Sequence, residues 1–159
     1  MIKLLRIDDR LVHGQVAFTW VPSLGVDTLL VANDKVARDD FQKMTMGLAK
    51  PAGTKLLIKP VSEAMLFLND DKNKSAKVLV LVNSVKDAFA ICNGAEEIRS
   101  VKFGGLRARD GATLVSKAVA LTNEDKELVG ELLRRGLELE VRQVPSDAKQ
   151  KLADLISQP

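Results

Sequence analysis

The sequence predicts an α/β fold: a doubly wound, mostly parallel sheet of about seven strands with helices on both faces. Three observations carry this. The runs Thr28-Leu29-Leu30-Val31-Ala32 and Val78-Leu79-Val80-Leu81-Val82 are apolar without alternation, as strands covered on both faces must be. Segments with apolar residues at helical spacing stand between such runs, so strand and helix take turns along the chain. Proline, glycine and Asn-Asp or Asn-Ser pairs mark the changes.

The elements follow in order. Ile2, Leu4, Leu5 and Ile7 form a first strand, and a short helix runs from about Gly14 through Trp20, stopping near Pro22 and Gly25. After the strand 28–32, Val36, Phe41, Met44 and Leu48 fall at roughly helical spacing and Pro51-Ala52-Gly53 ends the segment. Lys55 to Lys59 is a third strand; Pro60 and Ser62 begin a helix carrying Ala64, Met65, Leu66 and Leu68, and 69–75 is a solvated loop. The strand 78–82 leads into a helix from Val85 to Asn93 with Gly94 as its stop. Ile98 to Phe103 is a fifth strand, and Val115 to Leu121 a shorter sixth, antiparallel because its connection is too short for a crossover helix. Thr122 caps a helix with Asp125 in a capping-box position, Leu128, Leu132 and Leu133 on its apolar face and Gly136 as its stop. Leu137 to Val141 alternates as an edge strand does, and Pro145, Ser146 and Asp147 start a last helix with Leu152, Leu155 and Ile156 on its core side.

At 159 residues the chain reads as a single domain, 1–159, with no repeat and no internal boundary. With 24 basic and 21 acidic residues scattered along it, the net charge of +3 suits an anionic partner but lacks the clustered basic face of a nucleic-acid binder. The single cysteine, Cys92, excludes an internal disulfide and reads as a buried thiol. No leader and no apolar stretch of about 18 residues is present, so the expectation is a cytoplasmic protein without direct membrane insertion.

Chemistry concentrates at residues 6–16, Arg6-Ile7-Asp8-Asp9-Arg10-Leu11-Val12-His13-Gly14-Gln15-Val16, which hold the only histidine. Placed between a strand end and a helix start, His13 stands where unpaired helix N–H groups favour anions. A neutral imidazole is a nucleophile; Arg10 can grip a phosphoryl group; Asp8 or Asp9 can fix the ring tautomer; Gly14 leaves room for an incoming group. Other strand exits face the same side: Asn33-Asp34, Asn83-Ser84, and Gly104-Gly105-Leu106-Arg107-Ala108-Arg109, whose glycines admit close approach and whose arginines form a second cationic arm. Phosphate binding or orientation is thus assigned to Asp8, Asp9, Gly14, Gln15, Ser84, Gly104 and Gly105, and partner docking to Trp20, Arg107 and Arg109.

Two competing readings lack residues. A receiver-type acidic pair, Asp8-Asp9, needs an aspartate at the third strand's exit, where Lys59-Pro60 stand. A metal centre of Asp8, Asp9 and His13 lacks a second histidine, so no metal and no cofactor is expected. A non-catalytic anion-binding or regulatory α/β module is the alternative reading.

The 6–16 stretch, with Trp20 after it, closely resembles the opening of the IIB component of the mannose/sorbose family of the phosphoenolpyruvate-dependent sugar phosphotransferase system. The likeness continues through Val31-Ala32-Asn33-Asp34, Gly104-Gly105, Lys117-Ala118-Val119-Ala120-Leu121, Gly136 and Val144-Pro145; Lys102-Phe103 depart from the Asn-Ile often found there. The resemblance implies a phosphocarrier enzyme, a protein-N-phosphohistidine–sugar phosphotransferase, peripheral to a membrane transporter. Its histidine, matched by His13, would accept a phosphoryl group from a phosphorylated IIA component, with Arg10 steadying the group. It would pass it to a sugar entering through the IIC and IID membrane components.

Overall fold

Residues 1–156 are described by the computed structural model, and their strands assemble as the apolar runs predict. The strands are β1 (Ile2–Ile7), β2 (Thr28–Ala32), β3 (Lys55–Lys59), β4 (Val78–Val82), β5 (Ser100–Phe103), β6 (Thr113–Leu114), β7 (Ala120–Leu121), β8 (Glu138–Val141) and β9 (Gln150–Lys151). Seven form one sheet in the order β3-β2-β4-β1-β5-β8-β9, parallel except for β9, which runs antiparallel to β8.

The helices are α1 (Val21–Leu24), α2 (Asp40–Ala49), α3 (Val61–Asn69), α4 (Val85–Gly94), α5 (Asn123–Arg134) and α6 (Leu152–Ile156). Residues 14–15 begin the first helical segment, which passes through a π-helical turn (Val16–Trp20) into α1 and ends at Gly25, in the left-handed conformation at φ 65°. Pro22 sits in its last turn, and the segment stops at Gly25, where a stop was expected.

Two apolar cores divide the sheet faces. Val16, Trp20, Val21, Val36 and Met46 pack with Leu29, Val31, Leu79 and Leu81 on one face. On the other, Ala64, Leu68, Val85, Ala88, Ile91, Val129, Leu132 and Leu152 pack with Leu5, Ile7, Leu30, Val80 and Val101. Connections that step one way along the sheet therefore lie on one face, and those that step back lie on the other, as a uniform crossover hand requires. The chain leaves β1 toward the first face, whereas its neighbours β4 and β5 lead to α4 and α5 on the second. A crevice at the C-terminal end of β1 is the geometric result.

Several local expectations are corrected. Phe41, Met44 and Leu48 do lie on a helix, but they are 72%, 58% and 83% exposed; α2 turns Met46 to the core instead. Of the expected strand 115–121 only the end forms, as β7, which pairs antiparallel with β6 just upstream and outside the main sheet, because residues 115–118 turn between the two. The segment 137–141 is not the sheet edge. β9 covers it, in a stretch expected to be helical, and the last helix begins only at Leu152, since Pro145 to Ala148 are held in a turn by the Arg142 guanidinium, which donates to the Pro145 and Asp147 carbonyls. The capping box of α5 is complete: Thr122 Oγ1 accepts from Asp125 N at 3.0 Å and the Asp125 carboxylate accepts from Thr122 N at 3.1 Å. Lys102 has a structural cause: it pairs with Glu140 in register across β5 and β8, and both are almost fully buried.

Candidate functional site

The crevice is lined by the loop that follows β1. Backbone hydrogen bonds hold its start from both sides, with Asp8 N donating to Val82 O at 2.9 Å and Asp9 N to Gly105 O at 2.8 Å, while Gly104 N donates to Ile7 O at 2.7 Å. The chain then turns sharply: Leu11 N donates to Asp8 O at 2.9 Å, and Leu11 adopts a left-handed φ of 57° although it carries a side chain. Burial of Leu11 in the core offsets a conformation that costs about 1–2 kcal/mol. The turn folds His13 back over Asp8.

His13 Nε2 lies 2.9 Å from Asp8 Oδ2, and the carboxylate can only accept, so Nε2 holds the proton and Nδ1 the lone pair of the neutral ring. Among the described residues Nδ1 has no partner and touches no solvent. Burial of Asp8 opposes its ionisation, but hydrogen bonds from His13 and from Arg10 N (3.1 Å to Oδ1), together with nearby positive charge, win and hold its carboxyl below the usual aspartate value. Ala17 N to His13 O, 2.9 Å, is the first helical bond, so the N–H groups of Gly14, Gln15 and Val16 are the segment's unpaired donors. Arg10 is exposed, and its guanidinium makes no hydrogen bond or ion pair to a described residue.

Of the residues expected to orient phosphate, Asp8 holds His13, and Gly104 and Gly105 flank it through the backbone. Asp9 instead accepts from Arg107 N and Nε, at 2.8 and 2.9 Å. Ser84 caps α4 by accepting from Asp87 N at 3.1 Å; with Asp9, Asn83, Leu106, Arg107 and Arg109 it lines a neighbouring recess that does not include His13. Arg107 is exposed; Arg109 is paired with Asp125 and reaches Ala120 O at 3.2 Å.

Trp20 is a correction. Expected as a docking residue, it is 2% exposed and offers no surface: its indole N–H donates to Gln143 O at 2.8 Å, and its ring lies under the Arg6 guanidinium, 5.0 Å from the centroid. Phe18, on the same turn, is the exposed aromatic, at 77%.

Sequence reasoning missed Arg6. It is fully buried, donating from Nη1 to Arg142 O (2.7 Å) and from Nη2 to Gln143 O (3.0 Å), with Asp8 Oδ2 3.4 Å away. Its signal was present: a charged residue in a strand covered on both faces needs a buried counter-charge, and Asp8 is two residues on, on the same face. Among the described residues no group of three or more His, Cys, Asp and Glu side chains is placed to hold a metal ion. No helix among them is long and apolar enough to cross a membrane.

The arrangement is an orienting carboxylate, an imidazole with one free lone pair, and unpaired N–H donors at a helix start. Comparison with known proteins shows which family the chain matches. Residues 2–159 match the family described as the PTS system sorbose subfamily IIB component. The chain is 38% identical over 157 residues to the PTS system mannose-specific EIIAB component of Escherichia coli (strain K12), a match covering 99% of this chain and 49% of that protein. The chain thus spans about half the length of the mannose-specific relatives it matches. It is 36% identical to a probable phosphotransferase enzyme IIB component of Streptococcus pyogenes serotype M6, with 99% and 100% of the two chains covered. The crystal structure of the IIBSor domain of the sorbose permease from Klebsiella pneumoniae superposes with a TM-score of 0.93 at 29% identity, covering 98% and 96%.

Proposed function

The chain belongs to the sorbose subfamily of IIB components of the sugar phosphotransferase system, and on that premise we propose that it carries a phosphoryl group on His13 between a phosphorylated IIA component and a sugar. The observation that supports this most directly is the His13–Asp8 pair. It fixes the proton on Nε2 and so makes Nδ1 the nucleophile. As Nδ1 bonds to phosphorus and the donor's N–P bond breaks, positive charge develops on the ring, and the Asp8 carboxylate 2.9 Å from Nε2 stabilises it while the proton stays in place. Arg10, whose guanidinium is otherwise unengaged, neutralises the phosphoryl oxygens together with the backbone N–H groups of Gly14 and Gln15. Nδ1 is covered in the resting protein, so docking of the partner has to uncover it.

Transfer between two imidazoles is close to balanced in free energy, so alignment and charge neutralisation are what the protein must supply. In the second half-reaction a sugar hydroxyl oxygen attacks phosphorus, the N–P bond breaks and Nδ1 regains its lone pair. The recess walled by Ser84, Arg107 and Arg109 adjoins the site as a polar wall on which a partner can rest, its two arginines being paired with Asp9 and Asp125. Partners of the IIC and IID kind, a cytoplasmic location at the membrane transporter, and 1–159 acting as one domain complete the reading.

The test is labelled transfer. Incubation with phosphoenolpyruvate, the general phosphotransferase proteins and candidate IIA components is expected to give acid-labile label that disappears in His13→Ala. Label that survives in that variant, or tight anion binding with no transfer to wild type, overturns the reading.

A further inference from the structure

Asp8 raises a problem that the mechanism above leaves open. A lone carboxylate beside an imidazole favours the protonated ring, which has no lone pair to offer. Here Asp8 is not alone, because Oδ2 faces both His13 Nε2 at 2.9 Å and Arg6 Nη2 at 3.4 Å. Arg6 cannot leave. Its guanidinium is fully buried, bonded to two carbonyls at the exit of β8 and stacked on Trp20, which is itself bonded to one of those carbonyls.

We propose that Arg6 is a positioning residue of the transfer site: by balancing the charge of Asp8 in place, it lets the carboxylate orient His13 while keeping the ring neutral with its proton on Nε2. The role rests on His13 being the phosphoryl acceptor, but the effect on the ring belongs to the resting protein and can be read without any transfer. The guanidinium also ties the β8 exit, Arg142 and Gln143, to a histidine loop more than a hundred residues away in sequence. Other charges around the pair are Arg10 on the same loop, which is exposed, and Arg142, half-buried and 5.9 Å from the Trp20 ring centroid. Lys102 on the adjoining strand is occupied by Glu140. Neither Arg10 nor Arg142 hydrogen-bonds the Asp8 carboxylate with its side chain, so neither replaces Arg6.

Because His13 is the only histidine, 15N-histidine labelling gives one pair of ring resonances, and their shifts report tautomer and protonation directly. Wild type is expected to show the Nε2–H form once neutral. Arg6→Met removes the charge at similar length. Its ring is expected to stay protonated to a pH higher by about half to one unit, so that the neutral fraction at a pH on the rising limb falls several-fold, up to roughly tenfold. The rising limb of the transfer rate against pH moves by the same amount. Arg6→Lys restores the charge without the fork and is expected to recover most of the shift. Gly104→Ala, whose Cβ would meet Arg6 Nη2, displaces the guanidinium without removing it and is expected to move the ring resonances in the same direction by less. A folded Arg6→Met protein with wild-type tautomer and titration overturns the proposal. Should that variant not fold, unchanged His13 resonances in Gly104→Ala do so. Absence of transfer in wild type would remove the phosphocarrier reading and leave the ring measurement standing.

Discussion

The Arg6 guanidinium fills the space that a side chain at residue 104 would need: a Cβ built on Gly104 lies 2.3 Å from Arg6 Nη2, 2.6 Å from Cζ and 2.9 Å from Nε. The first of the two glycines before the arginine-rich loop is therefore required by a residue on the neighbouring strand. Arg6 can shift to make room only by straining the two carbonyl bonds and the Trp20 contact that hold it. Gly104→Ala is expected to cost about 1–3 kcal/mol in denaturant unfolding, the usual range for overpacking.

Gly14 has the opposite environment. A Cβ there would meet only Phe18 Cδ2, at 3.9 Å, an ordinary contact. Gly14→Ala is expected to fold as well as wild type or gain up to about 1 kcal/mol from helix propensity. A slower transfer rate in that variant would then report crowding of the incoming phosphoryl group itself, and an unfolded variant would contradict the geometry.

Asp8 is the residue where stability and transfer meet. Asp8→Asn leaves the buried Arg6 charge uncompensated, and a loss of about 3 kcal/mol at neutral pH is expected, together with a large drop in transfer. The sign of its pH dependence follows from a folded value below the usual aspartate value. The Asp8 contribution is fully present above the unfolded value, near pH 4, and is lost as pH falls through the folded one. Urea titrations from pH 7 downward are expected to show the gap between wild type and Asp8→Asn closing below about pH 4. Arg10→Ala, by contrast, is expected to slow transfer with unchanged unfolding, because only its backbone is engaged.

Lys102 and Glu140 give a thermodynamic cycle. Either single change, Lys102→Met or Glu140→Leu, strands a buried charge and is expected to cost about 3–5 kcal/mol, whereas the double variant is expected near wild type. A double variant as unstable as the sum of the singles would remove the pairing argument.

Burial pushes the Cys92 thiol up to about 11. Disulfide-exchange reagents at pH 8 are expected to leave it unmodified in the native protein and to react at once in denaturant.

Much of this fold is legible in the chain because strands covered on both faces leave continuous apolar runs, as β2 and β4 do, and the shorter apolar stretches of β1, β3 and β5 stand between turn signals. Helical periodicity shows that residues 40–49 form a helix, but not which stripe is inside; Phe41, Met44 and Leu48 have the right spacing and the wrong side. β9 leaves no signal at all, since two exposed polar residues become a strand only by pairing with β8. In the site, the local members are readable: Asp8 lies five residues from His13, and a single turn brings them together. The pairing of Arg6 with Asp8 is readable in the same way, but the other partners of Arg6 and the partner of Trp20 are not, because they are carbonyl groups 123 to 137 residues downstream that any residue type could supply.

The backbone bonds that pin the histidine loop to β4 and to the loop after β5 also limit how traffic through the site can be arranged. A loop fastened on both flanks does not swing from one partner to the other. If His13 carries the phosphoryl group as proposed, donor and recipient would have to come to the same small face of the protein, one after the other, and occupancy by either would shut out its successor. The order of events in such a relay would be enforced by collision between its neighbours, and the speed of the whole by how quickly the first one lets go.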